Sequence, residues 1–115
     1  MKRTFRHFLE DIVEYSDKAQ KFTKDMNYEE FCSDEKTFMA VIRALEIIGE
    51  AINHIPKEIQ DKSKEIPWYQ IRGFRNKVVH EYFGIDKKVV WLTVKEDIPF
   101  LKDSICKILK EIAEE

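Results

Sequence analysis

The hydrophobic positions of this chain recur at intervals of three and four almost from end to end, the spacing of one face of an α-helix. Phe5, Phe8, Leu9, Ile12 and Tyr15 form a first stripe, which predicts a helix of about five turns ahead of the polar KDMNYEE stretch. Ser33 and Asp34 then supply a start signal, as N-cap and first-turn acid, for a second helix ending near Asn53. Its face is wide and carries Phe38, Val41, Ile42, Leu45, Ile48 and Ile52. Pro56 fits the first turn of a short third helix and Pro67 the start of a fourth, because proline lacks only an N–H that a first turn does not use. Gly84 ends the fourth helix and Asp86 opens the last segment, whose stripe runs through Val90, Val94, Leu101, Ile105 and Leu109. Pro99 interrupts that stripe, and its ring would clash with the carbonyl four residues back, so a kink or break belongs there. No segment alternates as a strand would. The pattern predicts an all-α, up-and-down bundle of four to five helices.

Length changes this picture little: 115 residues with 43% hydrophobic content suffice for one core, so residues 1–115 are expected to form a single domain. Charge narrows the functions. Charged side chains make up 37% of the chain, yet the net charge is −2, so nothing in the overall field favours a nucleic-acid backbone. Any contact with RNA must be local. The only basic cluster is Arg72, Arg75, Lys77, Lys87 and Lys88, which suits a solvated face as well as an RNA track, and Glu46 and Glu50 are candidate partners for it across the bundle. No apolar run reaches the length of a membrane span and the N-terminus lacks a signal-peptide core, so a cytoplasmic protein with no membrane association is expected. Cys32 and Cys106 stand alone, as reduced and buried thiols would.

Two positions stand out on the second helix. Ile47 and Ala51 widen its apolar face, and Gly49 sits in the interior at a cost of about 1 kcal/mol relative to alanine. Such a glycine lets another backbone approach, either across a symmetric dimer contact, the preferred reading, or at a tight crossing within the chain.

The chemistry concentrates in RNKVVHEY, residues Arg75 to Tyr82, expected as the last turns of the fourth helix. At about 100° per residue, with Arg75 at zero, Ile71, Phe74, Val78 and Tyr82 share an arc of about 80° beside Arg75. Asn76 and His80 form a separate polar ridge about 100° to 140° round the other way, with Gly73 next to it. His80 is the one side chain here able to accept and donate a proton near neutrality, and Arg75 carries a permanent fork of donors matched to phosphate oxygens. Together they fit metal-free RNA cleavage. The imidazole would take the proton of a 2′-hydroxyl or protonate the leaving oxygen, the guanidinium would meet charge building on the phosphoryl group, and Asn76 would orient the imidazole or bind a phosphate oxygen. Arg75 and His80 point about 140° apart on one helix, so they converge only in a cleft with a second copy as its other wall. The bland alternative is a capping histidine and an arginine laid over apolar neighbours. A metal site fits worse, because His7, His54 and His80 lack ligand spacing; Glu50 and His54, four apart, are the nearest pair.

Arg75, Asn76, His80 and Tyr82 resemble the R, four residues, H, any residue, Y motif of the HepT-like toxins, a family of the HEPN superfamily of helical-bundle ribonucleases. VIRALEIIGEA, EIPW, YFGID and VWLTVKEDIP match that family's pattern in order, so the resemblance covers nearly the whole chain. It implies a homodimeric toxin with RNA as substrate and no cofactor, with Arg75 and His80 as ribonuclease residues in an interfacial cleft. It also implies a partner, an MNT-type minimal nucleotidyltransferase antitoxin that attaches AMP to Tyr82. Arg72 and Lys77 are the weaker candidates for RNA binding. The alternative is a non-catalytic helical dimer that binds such a nucleotidyltransferase as its substrate or accessory subunit; a third is an orphan bundle that has lost activity.

Overall fold

The computed structural model describes residues 4–73 and 86–114, and every described element is helical. Helix α1 spans Phe5–Thr23 and buries Leu9, Ile12, Ser16, Ala19 and Thr23, with Phe5, Phe8 and Tyr15 packed at the edge of the same core. The stripe thus continues past Tyr15 through small residues, where larger ones would hold neighbouring helices apart.

The polar stretch after α1 holds a helix that the periodicity missed, α2 at Tyr28–Ser33. Its start is a capping box: the Asn27 side chain accepts from the Glu30 N–H at 2.8 Å, and the Glu30 carboxylate accepts from the Asn27 N–H at 2.9 Å. Ser33 closes this helix and does not open the next. Asp34 is the N-cap of α3, Glu35–Ile52, accepting from the Thr37 N–H at 3.0 Å, so the first-turn acid is Glu35.

All six predicted apolar residues of α3 are buried. Gly49 and Ala51 are buried and Ile47 is half-buried, which is compatible with a close crossing within the chain and leaves the symmetric dimer contact as an expectation. Helix α3 packs on α1, and α1 in turn on the last helix.

Pro56 and Pro67 each precede a helix by one residue. Helix α4 spans Lys57–Gln60 and runs into a 3₁₀ turn at Asp61–Ser63; α5 is described over residues 68–73. Asp86 caps α6, Lys87–Leu92, with its side chain accepting from the Lys88 N–H at 2.8 Å.

At Pro99 the helix does not stop. Helix α6 passes through a π-helical turn at Thr93–Asp97 into α7, Ile98–Glu114, and the Ile98 N–H bonds back five residues to Thr93. The wider turn supplies the room that the proline ring needs against the preceding coil, which answers the clash expected of an ordinary helix. Val90, Val94, Ile98, Leu101, Ile105 and Ile108 keep one buried stripe through it, while Leu109 is only partly covered. Lys102 of α7 ties to Asp17 of α1 at 3.0 Å, and Lys95 donates to the Thr23 carbonyl at the end of α1 at 2.9 Å. Both cysteines are free thiols, but Cys106 is exposed: it follows Ile105 by one residue, about 100° off the apolar stripe.

Candidate active site

The described chain frames the motif from both sides. On the N-terminal side, the Trp68 indole N–H donates to the carbonyls of Gln60 (3.2 Å) and Ser63 (3.0 Å), and the Ile71 N–H bonds to the Pro67 carbonyl at 3.1 Å. These bonds fix where α5 starts and therefore where its side chains face. Ile71 is buried and shares an apolar cavity of about 240 Å³ with Leu45, Pro67, Val89 and Ile98. Arg72 lies on the outside, its guanidinium carbon 5.6 Å from the Tyr69 ring centre. Space beside Gly73 is open: a Cβ there would meet nothing within 4 Å.

On the C-terminal side, the cations rest on aromatic rings. Lys87 lies 5.3 Å from the Phe38 ring centre and donates to the Cys32 carbonyl at 3.1 Å. Lys88 sits 4.5 Å over Tyr28, and Lys95 4.7 Å over Trp91. Beneath them Phe31 is fully buried and meets Phe38 edge-on at 5.8 Å and Trp91 at 5.3 Å. The quadrupole of each ring attracts the ammonium on its face, so these lysines are held in place while still reaching water. Hydrogen bonding with Cys32, then partial burial, raises the Tyr28 pKa above its ordinary value.

The motif residues Arg75, Asn76, Lys77, His80 and Tyr82, with Phe74, Val78 and Gly84, lie outside the described residues. Of the expected basic cluster the structure places Arg72, Lys87 and Lys88. Of the acids expected to face that cluster, Glu46 pairs with Arg43 and Glu50 Oε1 lies 3.6 Å from His54 Nε2, while Arg75 and Lys77 of the cluster lie outside the described residues. His54 also stacks on Phe8, with ring centres 4.2 Å apart and planes 11° from parallel. Among the described residues no group of three histidine, cysteine or acidic side chains is placed to hold a metal ion, and no helix is long and apolar enough to cross a membrane.

Sequence reasoning singled out Arg72 and missed Tyr69. The two residues are three apart and so share one helix face, but that spacing alone does not tell an exposed ring from a packed one.

An all-α bundle carrying an R, four residues, H, any residue, Y motif defines the class as a HEPN-type helical domain. The model of the family described as "Ribonuclease HepT-like" matches residues 12–108, and the chain belongs to that family. It is 48% identical over 110 residues to "Probable ribonuclease HepT" of Thermococcus cleftensis, covering 96% of this chain and 100% of that one. It is 47% identical over 113 residues to "Putative RNase MJ0125" of Methanocaldococcus jannaschii, covering 98% and 97%. Similarity reaches bacteria as well: "Putative RNase TTE0752" of Caldanaerobacter subterraneus is 37% identical over 109 residues, covering 95% and 97%. No solved structure gives a significant match.

Proposed function

We propose that this protein is a metal-independent endoribonuclease, the toxin of a toxin–antitoxin pair, working as a homodimer whose interfacial cleft holds Arg75 and His80. The observation that carries the reading is that the family match, residues 12–108, spans an intact RNKVVHEY. His80 is the general base toward the ribose 2′-hydroxyl, or the acid toward the leaving 5′-oxygen. With His80 as base, the 2′-oxygen gives its proton to the imidazole and bonds to phosphorus as the bond to the 5′-oxygen breaks; the departing oxygen takes up a proton from the imidazolium or from water, which leaves a 2′,3′-cyclic phosphate and a 5′-hydroxyl end. Arg75 balances the charge that gathers on the phosphoryl oxygens, and its fork holds them in a fixed orientation. Asn76, one turn before His80, steadies the imidazole.

Control comes from an MNT-type nucleotidyltransferase antitoxin, which attaches AMP to the Tyr82 hydroxyl, two residues from His80. The added phosphate and base would fill the space that RNA needs and set a negative charge against Arg75. Lys77 and Arg72 support the RNA backbone at the rim.

Expression without the antitoxin tests the reading directly. Growth should arrest, and RNA should be cut in the presence of a chelator with cyclic-phosphate ends. His80→Ala should remove both effects, and co-incubation with the nucleotidyltransferase and ATP should add mass in AMP units at Tyr82. Undiminished toxicity of His80→Ala would refute the catalytic assignment.

A further inference from the structure

Tyr69 is three-quarters exposed, at 75%, which is a large aromatic surface to leave in water on a helix whose start is so firmly anchored. It borders a groove of about 490 Å³ lined by Gln60, Lys64, Glu65, Trp68 and Arg72. Where the other exposed cations beside the motif lie on rings that are themselves packed, Arg72 lies beside a ring whose remaining surface is open. Two further features suit a ligand. Trp68, the residue before Tyr69, is pinned by its two indole hydrogen bonds, so the Tyr69 backbone is fixed before anything binds. The groove also holds cations and a carboxylate at once, through Lys64, Arg72 and Glu65.

We propose that Tyr69 and Arg72 form a nucleotide subsite for single-stranded RNA. A base stacks on the open part of the Tyr69 ring, Arg72 and Lys64 meet the adjoining phosphates, and the Glu65 carboxylate faces the base edge, while the Gln60 amide stays tied to the Ile55 carbonyl at 3.0 Å. A flat ring accepts any base, and an arginine next to it contributes both charge and stacking, the combination that recognises unpaired strands. The inference rests on the ribonuclease reading and extends it. At about 100° per residue the sequence pattern puts Tyr69 and Arg72 at about 120° and 60° from Arg75, the sector of Asn76 and His80. On the helix that the sequence predicts, the subsite and the cutting residues thus share one side.

The test is fluorescence anisotropy of a short fluorescein-labelled single-stranded oligoribonucleotide of mixed sequence, with all proteins in a His80→Ala background so that the probe survives. Tyr69→Ala should weaken binding by about ten-fold. Tyr69→Phe should bind like the parent, because it keeps the stacking face, and Arg72→Gln should lower the slope of log affinity against log salt by about one. Thermal unfolding of each variant checks folding, with the phenylalanine variant as the conservative control. Parental affinity in Tyr69→Ala would overturn the subsite, as would equal losses in Tyr69→Ala and Tyr69→Phe. It would also be overturned if Tyr69→Ala changed only self-association in sedimentation, since the ring would then serve a protein contact. The two readings fail separately: a parent that cuts no RNA refutes the nuclease, while a parent that cuts RNA beside a Tyr69→Ala variant that binds normally refutes only this subsite.

Discussion

The three-helix scaffold of α1, α3 and α7 and the rim formed by the residues that flank the motif in sequence, with the rings they rest on, use charged side chains in opposite ways. In the scaffold Leu9, Ile12, Val41, Ile48, Leu101 and Ile105 are buried, and the Asp17–Lys102 pair lies at its margin. At the rim, lysines sit on the faces of Phe38, Tyr28 and Trp91, Arg72 sits beside Tyr69, and that tyrosine stands in solvent. One region removes apolar area from water and gains stability in proportion. The other keeps cations accessible at fixed positions, which adds little stability and suits the binding of an anion.

If that division is right, substitutions should separate cleanly into those that change activity and those that change stability. The largest effect is expected outside the scaffold: His80→Ala should lower the rate of RNA cleavage by about 10² to 10⁴-fold with the unfolding midpoint unchanged. Next, Ile48→Ala at the middle of α3 should lower unfolding free energy by about 2–5 kcal/mol, measured by urea titration, while the folded fraction still cuts RNA. A buried isoleucine whose loss abolished cleavage in fully folded protein would break the comparison.

Smaller effects sharpen it. Asn27→Ala removes one arm of the capping box and should cost about 1 kcal/mol, loosening the base on which Lys88 and Tyr28 stand. Acid should act on the scaffold through two carboxyls. Bonding to Lys102, then Lys21, holds Asp17 below the usual carboxylate range, and the Thr37 N–H and hydroxyl do the same for Asp34. A depressed carboxyl stabilises the fold above its unfolded-state value, and that contribution disappears as the pH falls through the folded value. Stability should therefore decline below about pH 4, and Lys102→Met should flatten that decline in acid-titrated melts. The smallest change should be a gain. The Ser16 hydroxyl is fully buried with no hydrogen-bond partner, so Ser16→Ala should raise stability by about 1 kcal/mol.

Much of the scaffold was legible because its signals are local and repeat. Six apolar positions at helical spacing mark α3, and aspartates at 34 and 86 with prolines at 56 and 67 mark where helices begin. Helix α2 escaped because six residues are too few for periodicity to register; only the pairing of Asn27 with Glu30 betrays it. The π-helical turn escaped because the sequence announces a conflict at Pro99 without saying how the backbone resolves it. The role of Gly49 stayed open in the sequence because a wide apolar face serves a second copy as well as a close crossing within the chain, and Ile47 on that face is still half-buried in the protomer. At the site, the chemistry proposed for Arg75 and His80 comes from residue type and spacing alone, since both lie outside the described residues. Tyr69 was not legible, because a lone tyrosine carries no pattern until its exposure and the guanidinium beside it are known.

The π-helical turn has a consequence for how the chain tolerates length changes. An i→i+5 turn holds one residue more than an ordinary helical turn, so deleting one residue between 93 and 97 would close it to a regular coil with the flanking helices still in phase, at the cost of the room around Pro99. Leu101, Ile105 and Ile108 would keep facing the core, and Lys102 would stay beside Asp17. The same deletion in the regular part of α7 would swing everything downstream by about 100° and should be far more damaging.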